Sequence, residues 1–221
     1  MKFNEFYSLT IVHSRDIILV KGVDYMNITK QKSQKTFDKQ AADYDTNIQG
    51  EHARKLYKPI IENLKNKNIH SILDLGCGTG ALLKEIKELN IAEQLFGIDI
   101  SPNMLEIAKN KLGNDATLIL GDSERLPFED SSFDAIVCND SFHHYPQPDI
   151  VEKEVSRCLK QNGVFIIGDC WQPIGARQIM NYYMKHSNSG DVKIYSKRKC
   201  CYYYQKTSTK LNGNLLAQDL V

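Results

Sequence analysis

The chain has 221 residues, 42% of them hydrophobic and 25% charged, and its formal net charge is +1. That length and composition suit a single globular domain with a sizeable core. A net charge this close to zero supplies no bulk field for nucleic acid or an anionic membrane surface, so binding of nucleic acid is not expected.

Membrane and targeting signals are weak. No apolar run approaches the roughly 18 residues that a membrane span requires. Residues 17–20 are apolar, but Arg15 and Asp16 adjoin them and no small-residue cleavage site follows. We therefore expect no membrane span and a cytoplasmic protein.

The six cysteines also agree with a cytoplasmic protein. None of them forms a C-x-x-C pair, so neither a zinc site nor a thioredoxin-like motif is predicted, and we expect no metal ligands. Cys77, Cys138, Cys158 and Cys170 lie in apolar segments or next to glycine, which is typical of reduced, buried thiols.

Three regions follow one another along the chain. Residues 1–28 show no firm periodicity and are interpreted as an N-terminal appendage. A regular domain, including N-terminal covering helices, is predicted over residues 29–196, and residues 197–221 form an atypical tail. The first clear helix begins at Ala53, because apolar residues then recur at i, i+3, i+4, i+7, i+8 and i+11 up to Leu64.

Strands and helices alternate from there onward. Short apolar runs predict strands at 70–75, 94–100, 117–120, 133–138 and 164–167. Amphipathic segments separate them; one helix is capped by Ser101 before Pro102, and another opens at Pro148 and stops at Asn162-Gly163. Apolar strands alternating with helices predict an α/β fold with a doubly wound, mostly parallel sheet, the final strands of which are incomplete.

A glycine-rich loop follows the first of these strands. Asp74-Leu75-Gly76-Cys77-Gly78-Thr79-Gly80 runs directly into a helix, where glycine allows a sharp turn and a close approach by a ligand. The same loop fits the dinucleotide fingerprint G-x-G-x-x-G/A, so an NAD-linked oxidoreductase stays open. Against it, the carboxylate of Asp74 favours a cationic ligand over a pyrophosphate.

Two more carboxylates end the next strands. Asp99 lies 23 positions after Gly76, about the spacing of a residue that accepts hydrogen bonds from ribose hydroxyls. Asp122 follows the third strand and could accept a hydrogen bond from an exocyclic adenine amine. Three carboxylates on successive strands suit a ligand with an ammonium, a ribose and an adenine, as in S-adenosylmethionine.

Segments 73–80, 97–101, 121–122 and 157–163 together resemble class I S-adenosylmethionine-dependent methyltransferases, most similarly the branch with ubiquinone and menaquinone biosynthesis enzymes. The resemblance implies that S-adenosylmethionine is the cofactor. It implies a cofactor site made of Tyr44, Asp74, Gly76, Cys77, Gly78, Gly80, Asp99, Ile100, Met104, Asp122, Ser123 and Asn139. Tyr44 matches an N-terminal helix that covers the cofactor, and Asn139 matches a position whose backbone receives the ammonium.

The acceptor is predicted to bind beside the segment 139–145. This segment lacks the Asn/Asp-Pro-Pro-Tyr sequence of enzymes that methylate planar amides or adenine amines, which favours a small molecule with an oxygen, carbon or different nitrogen acceptor. His143 and His144 are candidates for a general base, or else structural histidines of the loop. The atypical tail leaves open a methyltransferase-like module that binds cofactor without catalysis.

Overall fold

The computed structural model describes residues 18–19, 28–170, 172–187 and 189–196, with the side chain of residue 49 left out. Its strands are β1 (Ile18–Leu19), β2 (Ile69–Leu75), β3 (Ala92–Asp99), β4 (Ala116–Leu120), β5 (Phe133–Asn139) and β6 (Leu159–Gly168). Its helices are α1 (Ile28–Gln40), α2 (Ile48–Leu64), α3 (Ala81–Glu88), α4 (Pro102–Leu112), α5 (Pro148–Cys158) and α6 (Ile174–His186). The predicted tail at 197–221 lies outside the described residues.

All described strands form one parallel sheet in the order β1-β4-β3-β2-β5-β6. The predicted doubly wound α/β fold is therefore confirmed. The strand order reverses at β2, which pairs with β3 on one side and β5 on the other. In open parallel sheets a ligand crevice forms outside the carboxyl ends of the strands at such a reversal.

The strands are buried on both faces, as the near-continuous apolar runs predict. Ile72 belongs to one apolar cluster, with α2, α3 and α4, and Leu73 to a second one, with α5. Both side chains are fully buried. Ser101 caps α4 as predicted, accepting a hydrogen bond from the Met104 amide at 3.1 Å.

The end of α5 differs from the prediction. The helix ends at Cys158 instead of running to Asn162-Gly163, because Leu159 is already extended and pairs with Phe133 of β5. Asn162 lies within β6 with a φ of 66°, in the left-handed region that asparagine tolerates better than most residues. The Asn-Gly pair thus bends a strand and does not stop a helix.

Two features near the N-terminus give no signal in the hydrophobic periodicity, although covering helices were expected at the start of the domain. Ile18 and Leu19 pair with Ile119 and Leu120 of β4, so part of the predicted appendage joins the edge of the sheet. Helix α1 has almost no apolar face, and its buried residues are Lys30 and Ser33. Hydrophobic periodicity cannot detect a helix that is held by polar contacts.

The sequence predicts reduced, buried thiols at four cysteines. Cys77, Cys138, Cys158 and Cys170 are free thiols, and the first three are buried. None of the helices in the described ranges is long and apolar enough to cross a bilayer. No strand follows α6 within the described residues up to Ser196.

Candidate active site

A cavity with an empty volume of about 880 Å³ lies at the carboxyl ends of β2, β3, β4 and β5. Segments of α1 and α2 and the turn between them cover it from above. Of the twelve residues predicted to hold cofactor, eleven line it, namely Tyr44, Asp74, Gly76, Cys77, Gly78, Asp99, Ile100, Met104, Asp122, Ser123 and Asn139. Gly80 does not, and of the two candidate bases His144 lines the cavity and His143 does not.

The glycine loop is shaped by three left-handed residues. Gly76, Gly78 and Gly80 have φ values of 70°, 52° and 71°. A Cβ on Gly80 would lie 2.8 Å from Leu112 Cδ1, whereas a Cβ on Gly78 would meet no heavy atom within 4 Å. Gly80 therefore lets α3 approach α4, which is a packing role, and Gly78 opens the loop toward the cavity.

Asp74 is a buried carboxylate without a counter-charge. It is 2% exposed, and its Oδ1 accepts no hydrogen bond from the described part of the chain. Burial, and then the neighbouring charge of Asp99, raise the pKa of Asp74 to about 8. A buried, unpaired carboxylate is costly, so this position favours a ligand that brings a positive charge and donors.

Asp99 holds the loop and faces the cavity at once. Its Oδ2 accepts a hydrogen bond from the Gly78 amide and its Oδ1 one from the Ser101 amide, both at 2.8 Å. Burial raises the pKa of Asp99 to about 6, although these amides lower it. Each carboxylate oxygen can accept a second hydrogen bond, so the residue retains capacity for hydroxyl donors of a ligand.

Both carboxylate oxygens of Asp122 already have a partner within the protein, which the sequence does not suggest. Its Oδ2 lies 2.6 Å from Lys30 Nζ, and its Oδ1 accepts from the Glu124 amide at 2.9 Å. Lys30 also contacts Glu124 Oε2 at 2.5 Å. The next residue, Ser123, donates to the Tyr145 hydroxyl at 3.3 Å. Helix α1 is thereby attached to the β4 end of the cavity by charge.

The cover of the cavity is aromatic. Tyr44 lies in the turn after the short 3-10 helix Ala41–Asp43, so the predicted placement within a helix is wrong. It packs edge to face with Phe37 at 6.1 Å between ring centroids. Burial raises the pKa of both Tyr44 and Tyr57 above the ordinary range, so both phenols stay protonated.

The far end of the cavity begins where β5 ends. Asn139 donates from Nδ2 to the Ala53 carbonyl at 3.4 Å, and its Oδ1 has no partner among the described residues. Asp140 has a φ of 51°, unusual for a residue with a side chain. Its Oδ1 lies 2.8 Å from His52 Nδ1, and this hydrogen bond raises the pKa of His52.

His143 points away from the cavity. Its Nδ1 lies 2.7 Å from Asp169 Oδ1, and its backbone amide donates to Asp169 Oδ2 at 2.9 Å. Burial alone would lower the pKa of His143, but the charge and hydrogen bond of Asp169 outweigh it and hold that pKa well above its ordinary value. His143 is therefore a cation in a structural pair.

His144 has a different environment, although its Nδ1 also lies near a carboxylate, 3.1 Å from Asp191 Oδ1. It lines the cavity and packs edge to face against Phe37 at 5.0 Å between ring centroids. Burial, and then the neighbouring positive charge of His143, lower the pKa of His144 to about 4. At neutral pH this imidazole is uncharged. Two adjacent histidines thus differ in both direction and charge.

Several residues at the cavity were not found from the sequence. Lys30, Phe37 and Tyr57 line it without belonging to any motif, and Asp140 lies in the predicted acceptor segment but was not singled out. Asp169 lies behind it, as the partner of His143. A single aspartate or lysine carries no periodic signal, and only the tertiary fold shows which of them face the cavity.

Known proteins resemble this chain in both sequence and fold. Residues 73–167 match the family described as a methyltransferase domain. A demethylmenaquinone methyltransferase of Thermotoga maritima is 32% identical over an alignment of 163 positions, which covers 71% of this chain and 71% of the relative.

Solved structures agree with the fold. A methyltransferase of Haloferax volcanii, solved with its Trm112 activator, has a TM-score of 0.65 at 24% identity and covers 78% of this chain and 75% of its own. An S-adenosylmethionine-dependent methyltransferase of Thermotoga maritima has a TM-score of 0.61 at 20% identity, with 80% of each chain covered. At these identities the likeness shows a shared architecture.

Proposed function

Because the chain belongs to the class I S-adenosylmethionine-dependent methyltransferases, with S-adenosylmethionine as cofactor, we propose that it methylates a small, planar acceptor bound at the His144 end of the cavity. The observation that carries the proposal is the buried carboxyl group of Asp74, whose Oδ1 has no partner among the described residues. Asp99, Asp122 and Asp140 also line the cavity, but Asp122 is paired with Lys30 and Asp140 with His52. Such a cavity attracts a cationic nucleoside and repels a dinucleotide pyrophosphate.

The residues present fit the cofactor. Asp74, with the oxygen of Asn139, would receive the ammonium group, because both have buried oxygens without a partner among the described residues. Asp99 would accept from the ribose hydroxyls. Asp122 and Ser123 would lie at the adenine, and Gly78 leaves the loop open on the ligand side. When bound, S-adenosylmethionine supplies a methyl group activated by a sulfonium leaving group.

The acceptor end of the cavity suits a flat and mostly apolar molecule. Phe37, Tyr44 and Tyr57 provide aromatic surface, and burial of such surface is the main source of affinity for apolar ligands. The Thermotoga maritima relative is by name a demethylmenaquinone methyltransferase. We infer an aromatic acceptor with a hydroxyl group, on which either an oxygen or the adjacent ring carbon receives the methyl group.

His144 is the side chain placed to assist the methyl transfer as a base. An uncharged imidazole can take the proton that an acceptor hydroxyl loses, and it adds no positive charge beside a cationic cofactor. His143 is shielded from the cavity and cannot reach an acceptor there. The remaining catalytic effect comes from alignment in a site that excludes water.

The test is a transfer assay with radiolabelled S-adenosylmethionine and a panel of acceptors. The panel contains soluble hydroquinones and catechols, a primary amine, and the same rings without hydroxyls. We expect label in the hydroxylated rings only, and loss of label with Asp74→Asn. Transfer only to the amine would overturn the acceptor class. Tight cofactor binding without transfer to any acceptor would favour a binding module without catalysis.

A further inference from the structure

Helix α6 exposes most of its apolar side chains and buries none of its residues. The half-buried residues of the helix are Arg177, Asn181 and Met184. Asn181 donates to the Ile194 carbonyl at 3.2 Å and accepts from the Ile194 amide at 2.8 Å, and Arg177 donates to the nearby Gln172 carbonyl at 3.3 Å. Most of the apolar residues of the helix are exposed. Ile179 is 61% exposed and Tyr183 is 68% exposed.

This exposed face is the main apolar surface of the described chain. Of the eight large hydrophobic side chains found exposed, five belong to α6, namely Ile174, Ile179, Met180, Tyr182 and Tyr183. No residue of α6 is buried, whereas α4 and α5 each bury several apolar side chains. A helix of 13 residues is only marginally stable in water without burial of an apolar face. Among the described residues nothing covers this face.

The charge around the face indicates what covers it. Helix α6 contains Arg177 and Lys185 and no acidic residue. Over residues 174–199 the sequence has six basic residues, the last three beyond the described ranges, and a single acidic one, Asp191. Two copies of such a face would repel each other. An anionic partner is required, and it must also accept aliphatic side chains.

We propose that α6 lies on an anionic membrane surface, with its apolar face among the lipid chains near the headgroups. Amphipathic helices of this kind combine Ile, Met and Tyr on one face with flanking Lys and Arg. Nucleic acid fits less well, because only Tyr182 and Tyr183 of the exposed hydrophobic residues could stack on bases, whereas Ile174, Ile179 and Met180 offer neither charge nor stacking surface. The helix is peripheral, and no part of it needs to cross the bilayer.

The test is cosedimentation of the full chain with vesicles. One set contains equal parts of phosphatidylcholine and phosphatidylglycerol, and the other contains phosphatidylcholine alone. We expect binding to the anionic set, weakening with added salt. The double variant Ile179→Asp, Tyr183→Asp should abolish binding. Lys185→Gln should lower the partition coefficient roughly fivefold, as expected for one basic residue at the surface.

Matched controls separate this surface from general effects. Ile48→Asp places a negative charge at a side chain that is 83% exposed on α2, and Lys58→Gln removes an exposed charge there. Both should bind vesicles like the original protein. All variants should keep S-adenosylhomocysteine binding, since none of these residues lines the cavity.

Three results would overturn the proposal. The first is equal binding to both vesicle sets or to neither. The second is a dimer, detected by light scattering, that the double variant on α6 abolishes. The third is binding of single-stranded RNA that depends on the same two side chains, in place of vesicle binding.

Discussion

The carboxylate of Asp74 determines how the cavity responds to pH. Burial raises the pKa of Asp74 from 3.8 to about 8, so between these values the folded protein holds a proton that the unfolded chain has lost. The stability that this proton contributes is fully present below about pH 4 and is lost as the pH rises through about 8. A bound ammonium group favours the charged form of Asp74 and therefore lowers the pKa of this residue.

We therefore predict that cofactor binding releases a proton from Asp74. Below about pH 8 the affinity for S-adenosylhomocysteine should rise by up to about tenfold per pH unit, because one proton leaves on binding. Calorimetry between about pH 6 and 8, in buffers with different ionisation enthalpies, measures the proton directly. Asp74→Asn should bind more weakly and lose most of this dependence, the remainder coming from Asp99. An unchanged pH dependence in Asp74→Asn would contradict the assignment.

The two histidines give a second prediction at the scale of single residues. His144→Ala should lower turnover by roughly a hundred- to ten-thousandfold, the usual contribution of a general base, with cofactor affinity nearly unchanged. His143→Ala removes the partner of Asp169, so its main effect should be on stability. Thermal unfolding and turnover measured for both variants separate the catalytic role of His144 from the structural role of His143. Normal turnover in His144→Ala would mean that alignment alone drives the transfer.

Sequence reasoning found individual site residues where they follow strands. Asp74, Asp99 and Asp122 each come at or just after the end of a buried strand, and parallel strands bring such positions to one edge. The same reasoning named both His143 and His144 as candidate bases, held that adjacent side chains point in different directions, and favoured His144. Their opposite charge states depend on Asp169, a residue remote in sequence, and on which of the two rings turns inward.

At the scale of elements, the β2–α3 loop contains two glycines with different roles. Gly80→Ala should be strongly destabilising, because its Cβ would lie 2.8 Å from Leu112 Cδ1 at a φ of 71°. Gly78→Ala meets no neighbour, so it should cost only the strain of a left-handed alanine, about 1–2 kcal/mol. Its methyl group should instead weaken cofactor binding.

Denaturant unfolding and calorimetry on both variants test this division. The expected result is that Gly80→Ala loses more stability, and that Gly78→Ala loses more affinity per unit of lost stability. Equal losses of affinity in the two variants would mean that the loop does not contact the cofactor at Gly78.

Helices and strands could be predicted where burial makes apolar residues recur with the period of a helix or form a continuous apolar run. The helices from α2 to α5 and the strands from β2 to β6 were all located, since each buries an apolar stripe or run. Covering helices were expected at the start of the domain, but the bounds of α1 could not be read from periodicity, because Lys30 attaches the helix to Asp122 and Glu124 by charge. Helix α6 was missed because its apolar face meets no protein surface within the described residues.

At the scale of the whole molecule, the parallel sheet brings four carboxylates to one cavity and the N-terminal helices close over it. Lys30 pairs with Asp122 and His52 with Asp140, so Asp74 and Asp99 are the acidic groups of the cavity that have no ion-pair partner among the described residues. Composition describes the average surface, whereas the order of strands decides which charges meet. Specificity for a cationic nucleoside is therefore a property of the fold.

The most direct test of this account is calorimetric titration of the protein with S-adenosylmethionine, S-adenosylhomocysteine and NAD. We predict saturable binding of the first two and none of NAD. At a concentration a hundredfold above the dissociation constant, each should also stabilise the fold by about 2.7 kcal/mol in thermal unfolding. Binding of NAD without binding of S-adenosylmethionine would contradict the central claim.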